Sequence, residues 1–310
     1  MFTSIWNFLS APTMPRISLA VTPSHVALVE MHKRGGNLIP KKLGVQNFRE
    51  GLVVPSLTEI NITREAEFTD QLLSISEQSG FGKKLNLSLS LPEGSSRSLV
   101  VNLDNKPGTR TELTQMIEWK MSRTTNIKAS EMRLDFQELS HEGGQPRWLV
   151  SAVNTNVIQQ YERLLDQLGW HAGVVLPQHI GEAQWLLRNR LDNNQDQVMV
   201  SVNPNGFVVV IVRGEEPLLI RDITCALNER EDEFYRLMIF YKDKYAPSQS
   251  LKNMLVLGEP NEQVIFSQAL SSALQDHPQK LSPASLGLSL EPSAPFNRFA
   301  AAAGLAAITL

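Results

Sequence analysis

The chain has one cysteine, Cys225, so neither a disulfide framework nor a cysteine-based metal site is open to it. A reducing compartment is the simplest setting. It has no lysine and arginine cluster interleaved with aromatics, and its formal charge is -3, which argues against a general nucleic-acid binder. No apolar run is long enough to cross a bilayer. The stretch from Phe299 to Leu310 reaches about half the ~20 residues a spanning helix requires, and reads as a buried last helix. Met1 to Pro12 carries Phe2, Ile5, Trp6, Phe8 and Leu9 but no basic residue, so it is not an export signal. Phe2, Ile5, Trp6 and Leu9 share one face of a short amphipathic helix, packed on its own domain or set against a membrane or partner.

Catalytic signatures are scarce as well. The six histidines are scattered, and none forms the i, i+4 pair with a carboxylate that marks a zinc helix. There is no Gly-x-Ser-x-Gly elbow, and Gly80-Phe81-Gly82-Lys83-Lys84 lacks the spacing of a phosphate-binding Walker loop. His25 and His171 read as ordinary surface groups, and Cys225 as a packed residue.

What is present describes a soluble globular chain of about two domains: 310 residues, 42% hydrophobic and 20% charged. One unusual pattern occurs twice. Ser18 to Val29 and Met199 to Val210 are each an apolar strand, a tight polar-Pro-polar turn around Pro23 or Pro204, and a second apolar strand. Two related domains, each opening with a hairpin, follow from this.

In the first copy, Gly35-Gly36 turns the chain toward a third strand at Leu43 to Phe48. A helix over Thr69 to Gln78 comes next, then a strand through Leu85, Leu87, Leu89 and Leu91 with a wet face of Asn and Ser. From Gly94 to about Trp170 the texture changes to short strands and two helices. One helix is opened by Thr111 as cap, with Leu113, Met116, Ile117 and Met121 as its stripe; the other carries Val157, Tyr161, Leu164 and Leu165. This is a small α/β subdomain inserted in the first domain. A helix from Gln178 to Leu191 and the polar linker Asp192 to Asp196 lead to the second domain. There a helix from Asn228 to Tyr245 and a strand ending at Gly258 follow the hairpin.

The order of these parts, with Val26-Ala27-Leu28-Val29-Glu30, Leu149 to Asn154, Leu168-Gly169-Trp170, Arg213 to Arg221 and Arg298 to Ala306, resembles the PilM-like pilus assembly proteins of the actin-like ATPase superfamily. The resemblance covers roughly residues 16 to 310. It implies an α/β fold of duplicated actin-like (ribonuclease H-like) domains. The expected divisions are an N-terminal segment 1–15, domain I over 16–191 with its insert at about 94–172, domain II over 196–297, and a terminal helix 298–310 packing back on domain I.

Against the family pattern, Ala20 stands where the first phosphate loop has Asp, and Thr22 where it has glycine. Ser201 and Asn203 take the equivalent places in the second loop, and the adenosine loop reads Gly258-Glu259-Pro260. Magnesium needs hard oxygen ligands, and phosphates need close backbone amides; Ala20 supplies no oxygen, and Pro23 and Pro204 each remove a donor. The expectation is a pseudo-ATPase without catalytic residues, metal or cofactor, holding ATP and magnesium only if the degenerate site still binds.

What the resemblance implies for function is a cytoplasmic scaffold, peripheral to the inner membrane, of a type IV or MSHA-type pilus machine. Its partner would be the N-terminal cytoplasmic tail of a PilN-like bitopic inner-membrane protein. No nucleic acid is expected, membrane contact is indirect or through residues 1–12, and self-association is open. A GspL-like component of type II secretion is the near alternative, although that protein continues into a membrane span and this chain ends without one. A nucleotide- or sugar-phosphate-binding enzyme with a displaced site would be favoured if Asp222, Asp192 or Glu259 met in the cleft. Head-to-tail stacking into a filament is a third reading.

Overall fold

A computed structural model of the chain describes residues 14–103, 107–142, 145–189, 195–246, 251–291 and 293–310. The N-terminal segment Met1 to Pro12 and Asp192 lie outside them.

The first hairpin forms as the alternation requires, with β1 (Ile17–Val21) antiparallel to β2 (His25–Arg34) in the register Ala20 to Ala27 and Val21 to Val26. Gly35 and Gly36, both at positive φ, turn the chain into β3 (Asn37–Asn47). After helix α1 (Glu65–Gln78), β4 (Leu85–Leu91) joins β1 in parallel. A small antiparallel sheet intervenes, built from β5 (Ser96–Asn102), β6 (Met132–Glu142) and β7 (Gln145–Asn154) in the order β5-β7-β6. Helix α2 (Arg110–Thr125) precedes β6, and α3 (Thr155–Gln167) follows β7. The chain then returns with β8 (Trp170–Pro177), which completes a first sheet of order β3-β2-β1-β4-β8.

Helix α4 (Gln178–Arg188) leads to the second copy: β9 (Asp196–Asn203), β10 (Gly206–Arg213), β11 (Glu216–Thr224), β12 (Leu251–Leu257) and β13 (Gln279–Lys280). Their order, β11-β10-β9-β12-β13, repeats that of the first sheet strand for strand. Helices α5 (Arg230–Tyr245) and α6 (Pro260–Leu274) cover one face, and α7 (Phe296–Ala306) closes the fold.

Each large sheet packs its outer face on its own helices. Leu19, Val21, Leu87 and Leu89 meet Phe68, Leu72 and Tyr161 of α1 and α3; Val198, Val200 and Val209 meet Phe234 and Phe266 of α5 and α6. A shared core lies between the sheets, where Val29, Met31, Met199 and Val210 gather around α4 and α7. After Arg298, helix α7 is apolar on every side, which suits a helix enclosed on every side: Phe299, Ala300, Ala302 and Ala303 have no exposed surface.

Three local expectations are corrected. The Asn and Ser face of β4 is wet only at Asn86: Ser88 and Ser90 are fully buried, because β4 lies between β1 and β8 and helix α7 crosses that face. Small side chains there, with Ser18 and Ala20 on β1, let the alanine-rich helix approach. Helix α1 begins at Glu65 rather than Thr69, with Glu65 and Glu67 in a first turn that the dipole favours and Phe68 buried beneath it. The cap of α2 is Thr109, whose hydroxyl accepts from the Glu112 amide at 3.1 Å, not Thr111.

Candidate functional site

The turns of the two repeated hairpins open onto one cavity of about 520 Å³ between the sheets. Its walls include Ala20 and Thr22 from the first turn, Ser201 and Asn203 from the second, and Gly258 and Glu259 from the end of β12. Those six positions, spread over the sequence, are therefore neighbours of one space.

The first turn bonds to itself. Thr22 donates its amide to the His25 carbonyl at 2.9 Å and its hydroxyl to the same oxygen at 2.8 Å, and the His25 amide donates back to Thr22 Oγ1 at 3.0 Å. The reading of His25 as a surface group is corrected here. Its Nε2 lies 2.8 Å from the Arg298 carbonyl of α7, its Nδ1 lies 2.9 Å from Thr22 Oγ1, and burial lowers its pKa to about 4. A neutral imidazole at pH 7 thus ties the turn to a helix 273 residues away. Arg298 reaches on to Asn47.

The second turn is held from outside. Asn203 Oδ1 accepts from the Asn205 amide at 3.0 Å, while buried Arg230 donates to the Asn203 carbonyl at 2.7 Å and pairs with Glu262. The other oxygen of Glu262 accepts from the Glu259 amide at 2.8 Å at the start of α6. Gly258 has no room to spare: a Cβ there would sit 2.7 Å from that Glu262 oxygen and 2.8 Å from Val202.

Beneath the turns is a group of buried titratable side chains that the spacing of motifs did not single out. Glu93, in the loop after β4, accepts from both the backbone amide and Nδ1 of His179 at 2.7 and 3.0 Å. Burial opposes a charge on His179, but the Glu93 carboxylate outweighs it and raises the imidazole above its ordinary value. Glu182, one turn further along α4, accepts from Gln178 Nε2 at 2.9 Å; burial first, and then the Glu93 charge, push it up to about 7. The Ser201 hydroxyl on β9 faces the Glu182 carboxyl and works against that rise.

Of the three carboxylates that would favour a displaced site, Glu259 lines the cavity. Asp222 instead pairs with Arg97 where β11 meets β5, and burial raises its pKa. Asp192 falls outside the described residues. Cys225 is half-buried on the second core, and burial raises its thiol, so it is packed and not activated.

Two five-stranded sheets of identical order, each opened by a hairpin facing a common cleft, with a small α/β insert in the first, make a duplicated α/β fold, the architecture that the resemblance to actin-like proteins implies. Within that class the chain resembles PilM. It matches the solved PilM-PilN type IV pilus biogenesis complex with a TM-score of 0.76 and 16% identity, over 96% of this chain and 98% of that one. Fainter likenesses are a protein of actin-like ATPase fold and unknown function from Bacteroides thetaiotaomicron (10% identity, TM-score 0.47, 93% and 95% covered) and the cytoplasmic domain of EpsL. EpsL, an inner-membrane component of the type II secretion system of Vibrio cholerae, is 9% identical with a TM-score of 0.44, over 78% of this chain and 81% of that one. No family profile matches the chain. No curated protein matches it either.

Proposed function

We propose that the chain is a non-catalytic adaptor of a type IV or MSHA-type pilus machine, cytoplasmic and peripheral to the inner membrane. It binds the N-terminal cytoplasmic tail of a PilN-like bitopic protein. The observation that supports this reading is a kept cleft whose phosphate-facing donors are already spent: the amides of Thr22, His25 and Asn205 bond within their own turns. The cleft also presents the Glu259 side chain, a poor neighbour for a triphosphate, and has Ala20 where a metal ligand is needed.

For the tail, the segment 49–63 between the first sheet and the insert offers the surface. Val53 bridges to Ile62 inside the first core, Leu57 packs against the core of the insert, and Val54 and Ile60 are left 49% and 58% exposed. Apolar anchors beside an extended segment suit capture of a short peptide. Replacing Val54 and Ile60 together by Asp is expected to weaken tail binding more than tenfold while leaving the melting temperature unchanged. A tail peptide that fails to bind the native chain at high micromolar concentration would sink the adaptor reading.

The second reading is a small ligand held in the cleft, favoured by a cavity within the usual ligand range of ~300–1,000 Å³ and by the buried Glu182 carboxyl on its floor. A thermal-shift titration separates the two. A site filled at about one hundred times its dissociation constant adds ~2.7 kcal/mol, which is readily seen. The expected result with millimolar magnesium-ATP is no shift, and a clear shift would transfer the argument to the ligand reading.

A further inference from the structure

We infer that the groove between β5 and β11 is a docking site for an acidic, extended segment of a partner protein, separate from the cleft and from segment 49–63. The groove has a volume of about 510 Å³ and lies between the insert and the second domain. Five cations line it: Arg147 of β7, buried and bonded across the groove, and four more, Lys120 and Arg123 from α2, Arg221 from β11 and Lys244 from α5. No Asp or Glu is among its lining residues, and among the described residues none of these four forms an ion pair. On a chain whose formal charge is -3, such a local excess is a field aimed at an anion.

The groove also carries means of recognition beyond charge. Trp119 is 58% exposed on its rim, with the Arg123 guanidinium 5.1 Å from the ring centroid. Its two long walls are sheet edges. Strand β5 ends the three-stranded sheet and β11 ends the second large sheet, so among the described residues the outer backbone groups of each are paired to no further strand. The walls are pinned at one end by the Arg97 to Asp222 pair and at the other by Arg147 donating to the Pro217 carbonyl at 3.1 Å. A trough with edge backbone along its sides and cations on both walls suits an extended chain with alternating acidic and apolar residues. A flat bilayer surface cannot enter a trough walled by two domains, which places an anionic membrane second.

The test uses the full chain and a fluorescein-labelled dodecapeptide of alternating Asp and Leu, read by anisotropy. The expected result is micromolar binding that weakens more than tenfold in the double variant Lys120→Glu, Arg123→Glu, more than tenfold again at 0.5 M salt, and little in Lys120→Arg. Arg123 is exposed, but Lys120 is half-buried and donates to the Asn102 carbonyl, a bond that Lys120→Arg keeps; Arg123→Glu alone is therefore expected to melt with the native chain and still weaken binding, so that lost binding is told from lost folding. No binding up to millimolar peptide, or equal binding by an alternating Lys and Leu peptide, overturns the proposal. So does charge reversal that abolishes binding to phosphatidylglycerol vesicles or a poly-dT oligonucleotide but spares the peptide.

Discussion

Gly304→Ala is expected to lower the urea midpoint by an amount worth about 3 kcal/mol, the upper end of what overpacking a core costs. The reason is the crossing of α4 and α7. A Cβ at Gly304 would lie 1.9 Å from the Gly181 carbonyl oxygen, and one at Gly181 would lie 2.7 Å from the carbonyl oxygen of Ala301. Both obstacles are backbone, so no side chain can swing aside and the helices must separate. Separation breaks more than one contact. Trp185 of α4 donates its indole N–H to the Ala300 carbonyl at 2.8 Å and packs edge-on against Phe296, with ring centroids 5.5 Å apart. The same helix pair fills the space between the two large sheets, so loosening it loosens the only common core that the described residues form between them. Gly82→Ala is the control, since a Cβ there meets nothing closer than 3.8 Å, and a change within ~0.5 kcal/mol is expected. Equal midpoints for Gly304→Ala and the native chain would show that the crossing can open without cost.

The hairpins were legible because their signals are local. An apolar run, a Pro-containing turn and a second apolar run specify β1 with β2 and β9 with β10, and the repeat of that pattern carried the duplication. The serines of β4 misled for a related reason. Alternation tells which residues share a face, but whether that face is wet depends on α7, which arrives more than two hundred residues later. His25 was misplaced by the same kind of distant partner, the Arg298 carbonyl.

The cleft floor left still less trace. Glu93, His179 and Glu182 come from a loop and a helix, and only the three-residue spacing of His179 and Glu182 hints at a shared helix face. A single histidine in an apolar helix reads as ordinary core from sequence alone. The basic groove is similar: Lys120, Arg123, Arg221 and Lys244 form no run, and become a patch only when the insert is set beside the second domain. Local propensity thus gave the elements and their repeat, and the charged sites had to wait for tertiary contact.

That cleft floor makes the fold pH-sensitive in a definite direction. Glu182 is raised from 4.5 to about 7, so between these values the folded chain keeps a proton that the unfolded chain has released. Stability therefore falls as pH climbs through that window, and the whole span is worth about 3 kcal/mol. The neighbours push the same way. His179 is raised, so its pairing with Glu93 is fully present below 6.5 and lost as pH rises through the higher folded value. Asp222 is raised too, even with Arg97 beside it, and so favours the protonated form. Glu182→Gln keeps an oxygen to accept from Gln178 but can carry no charge. It is expected to match the native chain near pH 4.5 and to exceed it by up to about 3 kcal/mol at pH 8, read from urea midpoints across that range. His179→Ala should act in reverse at pH 5.5, costing about 3–5 kcal/mol, because it strands the Glu93 carboxylate in the interior. Parallel pH curves for Glu182→Gln and the native chain would mean that Glu182 stays ionised in the fold. The cleft would then have a fixed negative floor, a stronger barrier to phosphate than the self-bonded turns provide.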